Sequence, residues 1–379
     1  MARHDSHGFV VLGGAGTIGR VVVRDLLWSD RRNRVICADV DGRKAADVVA
    51  SLASARLSAA AADVRRPATL VPLLRGHAVV INCTQHSHNL QVMRAALTAG
   101  IHYVDLGGLF TWTRRQVALT DRFAHARLLA VPGMGCAPGI TNVLARLAVD
   151  RLGAVERLEI RVASRDRGLP VGSFVFGYSP RTIVEELTLR PWIFSRRRFR
   201  TVPPRSGWEL VPFPRPVGAS WVVRTRHSEI ATLPLSFRER GLEACDFKVG
   251  FDRAFVRTLM RRLRSGASLA QLAADGRRTT TPDDHEISRV TAIGPRRDGR
   301  RRIVIVDCHA NARPEWAAAA GDVDTAVPAS VVAQMIARGH IRAHGVIPPE
   351  RVVPVEPFLK ELRRRGLKIV VHSRGSPRT

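Results

Sequence analysis

Gly14, Gly16 and Gly19 stand at the spacing G-x-G-x-x-G within Gly13-Gly14-Ala15-Gly16-Thr17-Ile18-Gly19. That spacing serves the binding of a pyrophosphate. Gly14 permits a tight turn, Gly16 lets the backbone approach the phosphates, and Gly19 lets a helix pack closely on a strand. Thr17 and Ile18 fall in the first helical turn, where backbone N–H groups and the helix dipole face an anion. The loop follows the apolar run Phe9-Val10-Val11-Leu12 and opens the helix-like segment 20–27, the strand–turn–helix context that dinucleotide binding demands. A second apolar run, 34–38, ends at Asp39, about twenty residues past the loop. A carboxylate there reads a ribose 2′-hydroxyl and repels a 2′-phosphate, which favours NAD(H) over NADP(H); Arg43 and Lys44 lie nearby and pull the other way.

Other candidates follow from the rule that open α/β sheets bind ligands beyond the carboxyl ends of their strands. Asp63 and Val64 end the third strand and flank the adenine. Cys83 and Thr84 follow the fourth and line the nicotinamide ribose, and Gln85-His86-Ser87-His88 enters the cleft, with His86 toward substrate. Tyr103 and Asp105 end the fifth strand, and Gly107-Gly108 keeps the backbone there open. The spacing of His86 and His88 suits no single helix face and no Cys or carboxylate accompanies them, so no metal is expected. Cys136, in the glycine-rich loop 133–139, is either a thiol in the cleft or a small residue in a tight hinge. Thr225-Arg226-His227-Ser228-Glu229 offers a cation, an imidazole, a hydroxyl and a carboxylate in succession; such a cluster lines a cleft or caps a loop. The planar fork of Arg226 matches a substrate carboxylate, and Tyr178 and His227 are candidates for proton transfer to nitrogen.

The elements that must hold these residues alternate in the first third of the chain. Helices are expected over 42–57, 67–74, 89–99 and 115–126, and strands over 58–63, 78–83, 101–105 and 128–132. Repeated β–α units imply a doubly wound parallel sheet, a Rossmann domain over 1–135. Beyond 136 the strands lengthen, and Arg297-Asp298-Gly299 between 285–294 and 300–312 signals a hairpin. The expected second domain, 136–327, is α+β with an open, largely antiparallel sheet. Residues 196–216, rich in proline and arginine, read as an extended loop. A last segment, 328–379, begins with a helix at Pro328 and packs back on the first domain.

Composition limits the function classes. A chain of 379 residues with 45% hydrophobic and 25% charged residues is an ordinary globular protein, long enough for two cores. The start of the chain is polar, and the alanine-rich stretch 45–62 is broken by Asp47, Ser51, Ser54, Arg56 and Ser58; neither spans a membrane. Five scattered cysteines without a CxxC pair fit free thiols in a reducing, cytoplasmic setting. The formal charge of +27 invites nucleic acid, yet only four of the 60 basic residues are lysines and the arginine triplets lie far apart. No helix-turn-helix, zinc or RNP motif accompanies them, so nucleic acid is not the expected partner.

The chain resembles the saccharopine dehydrogenase-like family. The resemblance rests on the glycine loop 13–19, the segment 82–108 (NCTQHSHNLQVMRAALTAGIHYVDLGG), Pro132–Ile140, Gly177-Tyr178-Ser179, residues 227–234 (HSEIATLP) and the tail 345–366. It covers nearly the whole chain. It implies an NAD(P)-binding domain, an inserted substrate domain and a homodimer. It also implies hydride transfer at a carbon–nitrogen bond of an amino-acid or polyamine conjugate. Two departures, Ala137 before Pro138 and the pattern Asp105-Leu106-Gly107-Gly108, set it apart from the saccharopine-forming reductases. A non-catalytic dinucleotide sensor is the alternative.

Overall fold

The computed structural model describes residues 7–375. They form two units, 7–143 with 324–365 and 144–323 with 366–375. The strands of the first unit up to residue 143 are β1 (His7–Leu12), β2 (Asn33–Asp39), β3 (Leu57–Ala61), β4 (Val79–Asn82), β5 (His102–Asp105) and β6 (Leu129–Val131). The second unit follows with β7 (Arg157–Asp166), β8 (Trp192–Ser195), β9 (Arg198–Thr201) and β10 (Glu209–Pro212). It continues with β11 (Ala219–Arg224), β12 (Ala244–Gly250), β13 (Asp284–Pro295) and β14 (Arg301–Asn311). The chain then returns to each unit once more, with β15 (Gly345–Val346) in the first and β16 (Lys368–Gly375) in the second.

The first sheet is wholly parallel, in the order β15-β6-β5-β4-β1-β2-β3. All four residues of β4 are buried, as a central strand covered on both faces requires. Strand order reverses between β1 and β4, and the register Leu12↔Asn82 and Leu12↔Ala38 brings three strand ends level at that point. Val10, Leu12, Val80, Val92, Tyr103 and Phe123 share one core.

The second sheet runs β10-β11-β12-β7-β13-β14-β16, with a β8–β9 hairpin attached to β12. Every pairing is antiparallel except β12 with β7. The expected α/β class, a doubly wound parallel sheet beside a largely antiparallel one, is the fold observed. Ile183, Leu187, Val223, Phe255, Val256, Leu259 and Leu272 form a core between this sheet and its helices. The Arg297-Asp298-Gly299 turn joins β13 to β14, with Gly299 at φ +78°. Among the described residues no helix is long and apolar enough to cross a membrane.

Three local expectations are corrected. The helix expected over 42–57 ends at Leu52, because Ala53 turns left-handed at φ +43°. Residues 196–216 are not a bare loop. Trp192–Ser195 and Arg198–Thr201 pair across Arg196 and Arg197, both at positive φ, and Glu209–Pro212 joins the sheet edge. The helix expected to start at Pro328 instead spans Ala320–Ala337 with Pro328 inside it. Ala326, Val327, Ala329, Val331 and Val332 are all buried, and burial on every side holds the helix together across the missing N–H of the proline.

Candidate active site

The glycine loop sits between β1 and the helix Thr17–Ser29. A Cβ on Gly14 would lie 2.7 Å from Cys37 Sγ, and one on Gly19 would lie 2.7 Å from Gly14 Cα. Gly13, at φ +72°, abuts the carbonyl of Cys83 and the methyl of Thr84. Side chains at these positions would collide with the strands and with the loop itself, so the tight strand–turn–helix requires glycine there. Gly16 is the helix N-cap, its residue type offers no capping side chain, and the first turn holds no acid. No side chain caps that helix end, the arrangement a pyrophosphate needs. The residues fit a dinucleotide.

Asp39 ends β2 beside the loop, where its carboxylate accepts the N–H groups of Ala15 and Asp41, each at 3.2 Å. Asp63 is clamped by the Arg65 guanidinium at 2.9 Å, which holds its carboxyl down at about 2. Val64 beside it is buried. Cys83 is half-buried, its N–H bonded to Leu12 O, and burial pushes its thiol well up, away from nucleophile chemistry. The Thr84 hydroxyl donates to Asn82 Oδ1 at 2.7 Å. His86 is buried against Trp112, ring centroids 6.1 Å apart.

Asp105 was expected at the cofactor, and the structure puts its carboxylate inside the protein. It is fully buried and accepts from Tyr103 Oη (2.7 Å), Gln116 Nε2 (2.5 Å), Gly107 N (2.7 Å) and Gly133 N (2.7 Å). Its acceptor capacity is consumed, so it organises the loops at 105–108 and 133–139 and has none left for a ligand. Burial raises its pKa against the lowering by those donors. Cys136 is buried in the second of these loops, where Asn142 Oδ1 accepts from Gly139 N and Asn142 Nδ2 donates to Glu350 at 2.8 Å.

The second unit brings Tyr178 and His227 together through a residue that sequence reasoning missed. Glu186 lies on the buried face of the helix Pro180–Thr188, beside Ile183 and Leu187. Ser179 caps that helix by accepting from Thr182 N, and Pro180 starts it. The chain just before the cap turns Tyr178 back, so that its hydroxyl donates to Glu186 Oε2 at 2.6 Å. The tyrosine is 39% exposed, yet that hydroxyl end is tucked against a buried carboxylate. The other oxygen, Oε1, stands 3.7 Å from His227 Nε2. His227 Nδ1 hydrogen-bonds Glu229, and the ring stacks on Phe247 at 3.7 Å between centroids.

The result is a buried line Tyr178–Glu186–His227–Glu229. Burial alone would lower the His227 pKa, but the carboxylates of Glu229 and Glu186 outweigh it and raise it. Burial lifts the Glu186 carboxyl to about 7, with the charges of Glu229 and Glu185 adding to the rise. Burial and the Glu186 charge raise the Tyr178 hydroxyl, so it stays a donor. An imidazole between two carboxylates, one of them titrating near neutrality, is equipped to hold and pass a proton. Arg226 stands apart from this line: its Nε donates to the carbonyl of Arg190 at 3.1 Å.

Both halves match one family. Residues 9–131 match the saccharopine dehydrogenase NADP binding domain, and 135–367 match the saccharopine dehydrogenase C-terminal domain. The chain belongs to the saccharopine dehydrogenase family. Carboxyaminopropylagmatine dehydrogenase of a Synechocystis species is 23% identical over 94% of this chain and 96% of its own. Saccharopine dehydrogenase (L-Glu forming) of Saccharomyces cerevisiae shares the fold at a TM-score of 0.76. It is 13% identical, over 98% of this chain and 100% of its own. Homospermidine synthase of Legionella pneumophila, solved with NAD, follows at a TM-score of 0.69 and 12% identity, over 98% and 94%. The resemblance read from the sequence is thus the family found, and residues 9–131 form its dinucleotide-binding domain.

Proposed function

We propose that this protein is an NAD(P)-dependent oxidoreductase acting on the C–N bond of an amino-acid or polyamine conjugate. The observation that carries the reading is the glycine cradle at an uncapped helix end, in a chain whose two halves both match the family. Gly14, Gly16, Thr17, Ile18 and Gly19 hold the pyrophosphate, Asp39 the adenosine ribose, Asp63 and Val64 the adenine side, and Cys83 and Thr84 the nicotinamide ribose. Bound NAD(P)H supplies the hydride for imine reduction, and NAD(P)+ accepts it in the reverse direction. His227 gives the proton to the substrate nitrogen in the reductive direction and takes it back in the oxidative one. Glu229 fixes the imidazole through Nδ1, which leaves Nε2, 3.7 Å from Glu186, as the nitrogen that serves the substrate, with Glu186 and Tyr178 beside it to exchange the proton. Four carboxylates bear on this line: Glu186 and Glu229 directly, Glu185 and Glu286 through their charge. In a chain of formal charge +27, an acid-lined imidazole favours a substrate whose nitrogen end is a cationic amine.

Titration of the purified protein with NADH and NADPH, followed by cofactor fluorescence, tests the reading. Binding of one, followed by turnover of an amine–aldehyde pair, supports it. Bound cofactor that no such pair oxidises identifies a dinucleotide sensor instead. Asp39 favours NAD(H) on the physical ground that its charge opposes a 2′-phosphate. Asp39→Ala is expected to weaken NADH binding by at least about tenfold, the loss of a charged hydrogen bond, and NADPH binding less. An unchanged preference removes Asp39 from the site.

We also propose a homodimer, in a cytoplasmic, reducing setting that fits the five free thiols. Along β13 and β14 one face is buried, while Thr291, Ile293, Ile303 and Ile305 on the other are only half-buried. Such a sheet face suits a second copy. Ile303→Glu is expected to halve the mass in sedimentation equilibrium; an unchanged mass excludes this face.

A further inference from the structure

Among the described residues Arg115 has no acid partner. It is exposed, makes no ion pair among the described residues, and its guanidinium lies 5.2 Å from the ring centroid of Trp112. Trp112 in turn meets His86 at 6.1 Å. The three residues come from two neighbouring connections at the carboxyl edge of the first sheet. His86 follows β4, and Trp112 and Arg115 sit on the helix Phe110–Val117 that follows β5. Gly108 permits the contact, since a Cβ there would lie 3.0 Å from His86 Cβ and 3.4 Å from Trp112 Cβ. Side chains on a helix lean toward its N-terminus, so Arg115 reaches back over Trp112 toward the strand ends. No acid occupies the first turn of that helix to neutralise it.

We propose that Arg115 is a carboxylate anchor for the substrate, held in position by Trp112 and His86. This inference rests on the oxidoreductase reading and adds to it a place for the acid end of the conjugate. The β4–β5 side of such a sheet is where the nicotinamide half of a dinucleotide lies. An aromatic face restrains the guanidinium without using its N–H donors, which stay free for a bidentate pair with a carboxylate. Arg226, the candidate taken from the sequence, already spends one donor on a backbone carbonyl.

The test uses the full chain saturated with NADH and three probes measured by calorimetry: 4-aminobutyrate, its amide 4-aminobutanamide, and agmatine. Wild-type protein is expected to prefer 4-aminobutyrate over the amide. Arg115→Ala is expected to erase that preference, with a loss of at least about tenfold, the scale of a charge-assisted hydrogen bond, and to leave agmatine unchanged. Arg115→Lys keeps the charge without the fork and should fall between. Arg114→Ala, an exposed neighbour without the indole contact, should match wild type. A carboxylate preference that survives in Arg115→Ala, or one absent from wild type, overturns the anchor. NADH affinity, read on the same samples, separates the two levels: wild-type protein that binds no NADH overturns the oxidoreductase reading, and the anchor with it.

Discussion

His227→Ala is expected to lower kcat by about 10²- to 10⁴-fold, the range for loss of a positioned acid–base group, with NADH affinity unchanged. The pH profile gives a sharper test than the size of the loss. In the reductive direction His227 must carry its proton, so the rate falls as pH rises through its pKa, which the two carboxylates hold above the ordinary imidazole value. The oxidative direction needs the neutral ring, so that rate rises over the same interval. Glu186→Gln removes one of the supporting charges. His227 then titrates lower, and the alkaline limb of the reductive profile moves to lower pH. A limb that stays in place would take Glu186 out of the relay, and a His227→Ala variant with near-native kcat would take out the relay altogether.

The second large effect concerns stability. Arg365 and Asp25 are both buried and meet at 2.7 Å, Ser330 Oγ donates to the other Asp25 oxygen at 2.6 Å, and Arg365 also reaches Glu361 at 2.6 Å. Asp25 lies on the helix that opens at the glycine cradle. Asp25→Ala leaves the guanidinium buried without its main counter-charge, a change that costs about 3–5 kcal/mol. Urea unfolding monitored by near-ultraviolet circular dichroism should show it. The paired replacement Asp25→Leu with Arg365→Met should recover most of the loss, because it removes both charges together. A loss under about 1 kcal/mol in Asp25→Ala would mean that water reaches the arginine.

The parts legible in the sequence were those whose chemistry is local. Gly14, Gly16 and Gly19 are set by backbone geometry and Asp39 by the end of one strand, so spacing alone pointed to the strand–turn–helix found there. The Arg297-Asp298-Gly299 turn was readable for the same reason. Glu186 was not, since an acid in the run Glu185-Glu186 on an amphipathic helix reads as a solvated face, and only the tertiary fold turns it inward to Tyr178 and His227. Asp105 misled in the opposite sense. Its place at a strand end suggested a ligand contact, while the neighbouring Tyr103, Gln116 and two backbone N–H groups had already claimed both oxygens. Pro328 looked like a helix start because the burial that overrides its missing donor is invisible in a local window.

The order in which the strands enter the two sheets bears on how the protein is made. The first sheet waits for Gly345–Val346, and the second waits for Lys368–Gly375, while the buried partner of Asp25 is Arg365. Each sheet gains its last edge strand only after residues beyond about 340 have left the ribosome. A nascent chain therefore carries two incomplete sheets with open edges for most of its translation, the condition in which strand edges recruit one another and chaperones matter most.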